Sequence, residues 1–396
     1  MAIRKIKEGV YYMGCIDWDR RLFDELIPLP DGTSYNCYLI EGQEKIALID
    51  TVDPAKKEEL LGNLQRSKVK KIDYIISNHA EQDHSGAIGD VIKTYPEAKI
   101  LTNEKCKNML KDLLLLPEEK FTVVKDRESI SLGGKTIEFL FFPWVHWPET
   151  MFTYLREDKI LFTCDFLGSH FATSSLFAVE KDKVYESAKR YYAEIMMPFR
   201  NIIQRNLGKI KNLEIDIIAP SHGPLYDDPA FIIDAYTDWV SDNVKNEVVI
   251  PYVSMHGSTE KMVNYLVDEL IKRNIKVKPF NLTNTDIGEL ALSLVDAATV
   301  IIGSPTVLAR PHPGAVYAAY LVNALRPKVR FLSIVGSYEW GGKTPESIRG
   351  ILTNLKAEII EPVLTKGYPK QEDFKKLEEL VEKISEKHKE LGILNN

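Results

Sequence analysis

The sequence has few of the features that mark secreted, membrane-spanning or nucleic-acid-binding proteins. Its four cysteines are scattered, and no two of them form a CxxC pair. This argues against a disulfide framework or a rubredoxin-like module and predicts reduced, mostly buried thiols in a cytoplasmic protein. No apolar run is long enough to span a bilayer, and Met1–Lys7 lacks the apolar core of a signal peptide. The net charge of −6 gives no reason to expect nucleic acid or membrane as a partner.

Two common nucleotide-binding motifs are also missing. The chain contains neither the GxxxxGK[ST] pattern of a Walker loop nor the GxGxxG dinucleotide fingerprint. Its 396 residues, 44% of them hydrophobic, are enough for sizeable cores in more than one domain. Many short strand patterns occupy the first half, whereas strands and helices alternate regularly from about Val248. We therefore predict one domain over residues 1–246 and a second over 247–396.

The segment from His79 to His84 reads His-Ala-Glu-Gln-Asp-His and contains four side chains that can bind a metal ion. It follows the apolar run Ile72–Ile76, which predicts a buried strand. His79 and Glu81 are two residues apart, so they point the same way on an extended backbone. Asp83 and His84 lie beyond them and could reach a second ion. The alternative interpretation is a polar loop that binds no metal.

Three further metal-competent residues, His146, Asp165 and His222, each follow an apolar, strand-like run. Two cations held close together repel each other, so an anionic ligand is needed between them. Asp165 is the best candidate for that bridge, and His146 and His222 could complete one ion each. The predicted metal ligands are therefore His79, Glu81, Asp83, His84, His146, Asp165 and His222.

The second half carries the pattern of a phosphate-binding loop. Glu247–Val253 predicts a strand, and the loop after it contains hydroxyl side chains and a glycine and leads into an amphipathic helical pattern from Met262 to Ile271. Backbone N–H groups and hydroxyls at the start of a helix bind phosphate. Two later loops follow the strand patterns Val300–Gly303 and Phe331–Val335 and should gather at the same sheet edge. The predicted cofactor-binding residues are Ser254, Met255, His256, Gly257, Ser258, Thr259, Ser304, Pro305, Thr306, Val307, Ser337, Tyr338, Glu339, Trp340, Gly341 and Gly342.

Other residues are predicted to lie near the metal ligands. His170 follows the strand pattern that ends at Asp165 and could line the metal pocket. Either Tyr191 or Tyr192 could point its phenol into that pocket, and we select Tyr192. Asp165, His170 and Tyr192 are thus the predicted catalytic residues. His388, in a charged helical pattern near the end of the chain, is predicted to be a surface residue.

At the metal-competent residues the chain resembles the metallo-β-lactamase superfamily, whose usual loop reads HxHxDH. Glu81 replaces the middle histidine, and mixed imidazole and carboxylate sites favour iron over zinc. Together with the flavodoxin-like phosphate loop, nearly the whole chain resembles the flavodiiron proteins, also called A-type flavoproteins. The resemblance rests on His79-x-Glu81-x-Asp83-His84, His146–Met151, Cys164-Asp165, Ser221–Gly223, Gly303–Thr306 and Ser337–Gly342.

The resemblance implies an α/β chain in which an αββα metallo-β-lactamase-like sandwich precedes a flavodoxin-like doubly wound parallel sheet. It implies FMN and a di-iron centre that reduce dioxygen to water, nitric oxide to nitrous oxide, or both. Electrons would come from rubredoxin or a similar protein, and the assembly would be a head-to-tail homodimer or a dimer of dimers. Two departures from the family are Asp24, where many members carry a histidine, and Glu339, where glycine is common.

Two other functions remain open on the residues alone. One is a di-zinc hydrolase with an accessory flavodoxin-like domain. The other is an electron-carrying flavoprotein whose first domain binds no metal. Metal content and consumption of dioxygen or nitric oxide distinguish all three.

Overall fold

The computed structural model describes residues 3–395, and the chain divides into two compact units. The N-terminal unit contains the residues up to Tyr192 together with Phe199–Val240. The C-terminal unit contains Ala193–Pro198 and the residues from Ser241 onward. Within residues 3–395, no helix combines the length and the apolar character needed to cross a membrane.

Two sheets form the centre of the N-terminal unit. The spatial order of the first, seven-stranded sheet is Arg4–Lys7, Val10–Tyr12, Tyr38–Glu41, Ile46–Ile49, Tyr74–Ile76, Lys99–Thr102 and Phe121–Val123. The order of the second, five-stranded sheet is Ser129–Ser131, Thr136–Phe141, Met151–Leu155, Ile160–Cys164 and Ile217–Pro220. Two short ladders pair Cys15–Asp17 with Thr33–Tyr35 and Leu22–Phe23 with Ile27–Pro28.

Side chains alternate between the two faces of each strand, which gives both sheets two apolar faces. One core lies between the sheets, where Ile40 of the first and Phe162 of the second belong to the same cluster. Leu39 points to the opposite face of the first sheet and packs among helical residues. On the outer face of the second sheet, Phe152 stacks on Phe166, which contacts Tyr236 of a helix. This is the predicted αββα sandwich, and its helices are Lys57–Ser67, Gln82–Ser85, Ile88–Thr94, Glu104–Leu114, Lys181–Tyr191, Arg200–Ile210 and Pro229–Trp239.

The C-terminal unit is built on a parallel sheet. Its spatial order is Lys276–Asn281, Lys245–Tyr252, Ala297–Val307, Phe331–Tyr338 and then Glu358–Ile359 and Val363–Lys366, both beside the fourth strand. In chain order this is the 2-1-3-4-5 arrangement of flavodoxin-like sheets, as predicted. The strand order reverses between the first and third strands, so the loops after Tyr252 and Val307 open at this switch point. The helices are Ser258–Lys272, Ile287–Leu294, Pro313–Leu325, Thr344–Ile351 and Gln371–Glu390.

The prediction that His388 lies on the surface is wrong. The residue is completely buried on the helix Gln371–Glu390. Its Nδ1 lies 2.8 Å from Asn246 Oδ1, and its Nε2 lies 2.8 Å from Thr299 Oγ1. Because an amide oxygen can only accept, Nδ1 carries the proton and Nε2 accepts the hydroxyl hydrogen. Burial lowers the pKa of His388 to about 4, so the ring is neutral in the folded protein at neutral pH.

We expect His388 to make the stability of the C-terminal unit depend on pH in the acidic range. The unfolded chain takes up a proton near the ordinary histidine pKa of about 6.5, whereas the folded ring has a pKa of about 4. The stabilisation is therefore complete above the unfolded pKa and is lost as the pH falls toward the folded pKa. The total loss should be about 3 kcal/mol.

Urea unfolding between neutral and acidic pH measures this contribution. The difference between wild type and His388→Gln isolates it, because other titrating groups are common to both proteins. His256→Gln, which replaces an exposed histidine of the same unit, should keep the wild-type pH dependence. Parallel stability curves for wild type and His388→Gln would contradict the prediction.

Candidate metal centre and cofactor pocket

All seven predicted metal ligands lie together in the N-terminal unit. His79, Glu81, His146 and Asp165 offer ligand atoms that lie within 4.8 Å of one another. The remaining three residues form a second group by the same measure. The second group consists of Asp83, His84 and His222.

Asp165 faces both groups with a different oxygen toward each. Its Oδ2 lies 3.4 Å from His79 Nε2 and 3.5 Å from His146 Nε2. Its Oδ1 lies 2.8 Å from His84 Nε2 and 3.3 Å from His222 Nε2. A carboxylate placed in this way has the geometry of a bridge between two cations.

Each group contains one further carboxylate. Glu81 Oε2 lies 3.0 Å from His79 Nε2, and Asp83 Oδ2 lies 3.2 Å and 3.1 Å from the Nε2 atoms of His84 and His222. Both Asp83 oxygens are buried, yet neither makes a hydrogen bond of good geometry within residues 3–395. A buried carboxylate without hydrogen bonds is costly. The donor set therefore fits metal cations better than it fits a closed hydrogen-bond network.

Burial and opposite charges act against each other on these groups. Burial raises the pKa of Asp165, but the imidazoles of His84, His146 and His222 outweigh it and hold that pKa well below the usual range. Burial lowers the pKa values of His146 and His222, but their carboxylate partners raise them to about 9 and about 10. The carboxylates thus favour positive charge here, whether it is carried by protons or by metal ions.

Two imidazoles are oriented by groups behind them. His79 Nδ1 lies 2.7 Å from Glu149 Oε1, and His222 Nδ1 lies 2.7 Å from the carbonyl oxygen of Ser34. Both acceptors require the proton on Nδ1, so each Nε2 turns a lone pair toward the cluster. No role was predicted for Glu149, although it lies in the stretch that carries the family resemblance. Its partner is 70 residues away in the chain, and no local pattern reveals such a contact.

The predicted catalytic Tyr192 does not reach the cluster. Its hydroxyl lies 3.4 Å from the carbonyl oxygen of Trp239. The Tyr191 hydroxyl instead donates a hydrogen bond of 3.0 Å to Asp165 Oδ1. Successive residues on a helix point about 100° apart, so only one of the two can face the site. The prediction is therefore corrected from Tyr192 to Tyr191.

His170 lies beside the cluster but belongs to neither ligand group. Its ring centre is 4.8 Å from those of His222 and Tyr191, and its Nδ1 is 2.9 Å from Thr33 Oγ1. Burial and the nearby His222 hold the pKa of His170 well below its usual range, so the ring is neutral. It can shape the pocket and hold hydrogen bonds without adding charge.

Asp24 lies in the turn of the hairpin that pairs Leu22–Phe23 with Ile27–Pro28, with a φ of 49°. Partial burial of its carboxyl group, reinforced by the anionic Glu81 and Asp83, raises the pKa of Asp24 to about 6. The charges of the predicted ligand carboxylates therefore act on Asp24, although it does not belong to either ligand group.

A cavity of about 180 Å³ lies in the C-terminal unit, where the sheet reverses its strand order. Gly367 also lines it and was missed, although it follows the parallel strand Val363–Lys366, whose end lies at the same edge. The predicted cofactor residues that line the cavity are Ser254, Met255, His256, Ser258, Thr259, Pro305, Thr306, Ser337, Tyr338 and Glu339.

Other predicted cofactor residues do not line this cavity. Trp340 is 65% exposed, and the Ser304 hydroxyl is used within the protein, accepting from His312 N at 2.9 Å. Of the loop that follows a strand, only the residues that turn back over the sheet edge can line the cavity. The strand and loop pattern in the sequence did not specify which residues these are. The predicted residues outside the cavity lining are Gly257, Ser304, Val307, Trp340, Gly341 and Gly342.

One end of the cavity has the geometry of a phosphate site. The helix Ser258–Lys272 begins there, and Gly257 precedes it with a φ of 84°, which favours glycine. Ser254 Oγ accepts a hydrogen bond from Glu260 N at 3.2 Å, and Thr259 Oγ1 lies 3.2 Å from Ser337 Oγ. Unpaired N–H groups at a helix start, flanked by hydroxyls, match the oxygens of a phosphate group.

Comparisons with known proteins agree with this architecture. A family model described as ODP family beta lactamase matches residues 33–223, which include all the predicted metal ligands. A nitric oxide reductase of Moorella thermoacetica is 37% identical over 389 residues, covering 96% of this chain and 97% of that protein.

Two solved structures match nearly the whole chain. The rubredoxin oxygen:oxidoreductase of Desulfovibrio gigas is similar with a TM-score of 0.94 and 28% identity, covering 98% of this chain and 99% of that one. A flavodiiron protein of Giardia intestinalis is similar with a TM-score of 0.88 and 27% identity, covering 98% of both chains. These relatives support a redox enzyme over the di-zinc hydrolase. By sequence and by fold alike, the chain belongs to the flavodiiron protein family.

Proposed function

We propose that this protein reduces dioxygen to water, nitric oxide to nitrous oxide, or both, with electrons that reach a di-iron centre through FMN. The observation that carries the proposal is the position of Asp165 between two groups of imidazole and carboxylate ligands. A nitric oxide reductase and a rubredoxin oxygen:oxidoreductase are among the proteins to which the chain is similar. Their substrates define the two reactions to be tested.

In this proposal His79, Glu81 and His146 would hold one iron, and the second group would hold the other. Asp165, which faces both groups, would offset part of the repulsion between the ions. Bound irons and FMN supply electron storage and stabilise developing negative charge on oxygen. The second iron would be held by Asp83, His84 and His222.

The two ligand groups differ in the solvent exposure of their side chains. The side chains of Glu81 and His146 are 18% and 14% exposed, whereas those of Asp83, His84 and His222 are 5% exposed or less. A small substrate would therefore approach along the Glu81 and His146 side. On the closed side the Tyr191 hydroxyl donates to Asp165 and restrains the carboxylate that both ions need.

The apolar surroundings of the exposed ligands favour small uncharged substrates. The ring centres of Trp147 and Phe199 lie 6.2 Å and 6.3 Å from that of His146. The faces of these rings are apolar and favour a small uncharged molecule over a charged one at this edge. Dioxygen and nitric oxide meet this condition.

For FMN, the hydroxyls of Ser254, Ser258 and Thr259 and the helix start would hold the phosphate, and Tyr338 would contact the ring system. Rubredoxin or a similar small redox protein is the proposed electron donor, supported by the named activity of the structural relative. The cysteines described as free are all buried, which is consistent with the proposed cytoplasmic location.

The test uses the purified full chain, analysed for iron, zinc and FMN under anaerobic conditions. Oxidation of reduced rubredoxin is then followed after separate additions of dioxygen and nitric oxide. We expect two irons and one FMN per chain and donor oxidation with at least one gas. Two zinc ions with thioester or lactam hydrolysis would instead support the hydrolase, and FMN without metal or gas consumption would support the electron carrier.

We also propose a head-to-tail homodimer in which the FMN of one chain serves the irons of its partner. The metal ligands belong wholly to the N-terminal unit and the phosphate loop wholly to the C-terminal unit. Electron transfer needs the two cofactors nearly in contact, and a two-fold axis creates two such contacts at once. Mixed dimers of Asp165→Ala and Ser258→Asp chains should regain part of the activity. A fully active monomer at assay concentration would contradict this arrangement.

A further inference from the structure

The imidazoles of the predicted metal ligands differ in the hydrogen-bond partner of their Nδ1 atoms. His222 Nδ1 donates to a neutral backbone carbonyl, that of Ser34, at 2.7 Å. His84 Nδ1 is buried and has no hydrogen-bond partner within residues 3–395. His79 Nδ1 has a carboxylate partner, Glu149 Oε1, at 2.7 Å. A ligand of the first group thus has a charged hydrogen-bond partner, whereas these two ligands of the second group have a neutral partner or none within residues 3–395.

Glu149 is placed to act on His79 and on little else. It is 2% exposed and lies in the loop between the strands Thr136–Phe141 and Met151–Leu155. The oxygen that accepts from His79 also accepts from Ala80 N at 3.1 Å, so it holds the loop and the ring together. The Asn103 side chain anchors the Glu149 backbone by donating to its carbonyl at 2.5 Å.

We propose that the negative charge of Glu149 makes His79 a stronger and more firmly oriented ligand, and that this sets the His79 metal position apart from the His84 position. This inference rests on the proposed metal centre. Glu149 is a positioning residue, because it acts through His79 and touches no ion itself.

The physical reason is the charge carried by the acceptor. A carboxylate accepts a stronger hydrogen bond from an imidazole N–H than a neutral carbonyl does. The bond pulls the proton away from the ring and increases electron density at Nε2, the atom that faces the cluster. A more basic ligand stabilises the higher charge of an oxidised metal ion. The ion at His79 should therefore be bound more tightly and be harder to reduce than it would be with a neutral partner.

Two substitutions separate charge from geometry. In Glu149→Gln the amide oxygen can still accept from His79 Nδ1 and Ala80 N, but the charge is gone. In Glu149→Ala both bonds are lost. Titration of the metal-free full chain with Co²⁺, followed by ligand-field absorption, measures each binding step. We expect one of the two steps to weaken about tenfold in Glu149→Gln and about a hundredfold in Glu149→Ala, with the other step unchanged.

Reduction potentials distinguish the proposal from a purely structural role of Glu149, which would leave them unchanged. In the iron-loaded Glu149→Gln protein, one midpoint potential should shift to a more positive value and the other should stay. Glu138→Gln is the matched control, because Glu138 is a largely buried carboxylate of the same unit that pairs with Arg127 and Arg156. It should leave both binding steps and both potentials unchanged. Wild-type affinities and potentials in Glu149→Gln would overturn the proposal.

A measurement on the wild type keeps the test valid if the variants do not fold. In the zinc-loaded protein, ¹H NMR should show the N–H proton of His79 Nδ1 protected from exchange and farther downfield than that of His222 Nδ1, whose acceptor is a neutral carbonyl. A His79 N–H resonance no farther downfield than that of His222 would equally overturn the proposal. A wild-type chain that binds no metal would contradict the proposed function itself, so the two failures can be told apart.

Discussion

Replacing Asp165 by alanine is expected to abolish turnover and to remove at least one of the two metal ions per chain, while FMN stays bound. Asp165 belongs to the first ligand group, and its Oδ1 also faces the imidazoles of the second, those of His84 and His222. Without it, the two cations lose their shared anion and repel each other across the gap. We expect the rates of dioxygen and nitric oxide reduction to fall by at least about a hundredfold.

Iron analysis, flavin absorption and gas consumption on the same sample test this expectation. Asp216→Ala is a suitable control, because it removes a half-exposed carboxylate of the same unit that pairs with Lys7 on the surface. That variant should keep both irons and normal turnover. Asp165→Ala with two bound irons and wild-type rates would exclude a bridging role.

Replacing Ser258 by aspartate is expected to release FMN and leave the metal centre intact. Ser258 is the first residue of the helix Ser258–Lys272 and lines the end of the cavity that we propose binds the phosphate. An aspartate there suits the helix dipole, so folding should be preserved. Its carboxylate, however, would stand where the phosphate binds, and two like charges about 4 Å apart cost about 4 kcal/mol near a protein surface. We expect FMN affinity to fall by at least about a hundredfold.

Fluorescence titration of the flavin-free protein with FMN measures this loss, and metal analysis shows that the N-terminal unit is unaffected. Ser258→Asn is the matched control, because it has a similar size and no charge and should bind FMN far more tightly than the aspartate variant. Equal FMN affinity in the two variants would show that the phosphate does not lie at this helix.

Much of the fold could be predicted because it depends on local patterns. The apolar run Ile72–Ile76 indicated a strand, and the structure has one at Tyr74–Ile76. The helical pattern from Met262 to Ile271 lies inside the helix Ser258–Lys272. These elements form where they were expected because alternation and a 3.6-residue period are set by neighbouring residues. Each group of metal-competent residues follows a strand pattern. This likewise indicated that these residues would meet at one edge of the sheets.

The sequence by itself thus determined the two architectures, the seven clustered metal-competent residues and the loop of the second unit that lines its cavity. Only the tertiary structure decided that Tyr191 rather than Tyr192 contacts Asp165, that Glu149 supports His79, and that His388 is buried. The physical reason is the distance along the chain: Glu149 and His79 are 70 residues apart, and His388 and Asn246 are 142 apart. Such contacts depend on how whole elements pack, and no periodicity of a short segment records them.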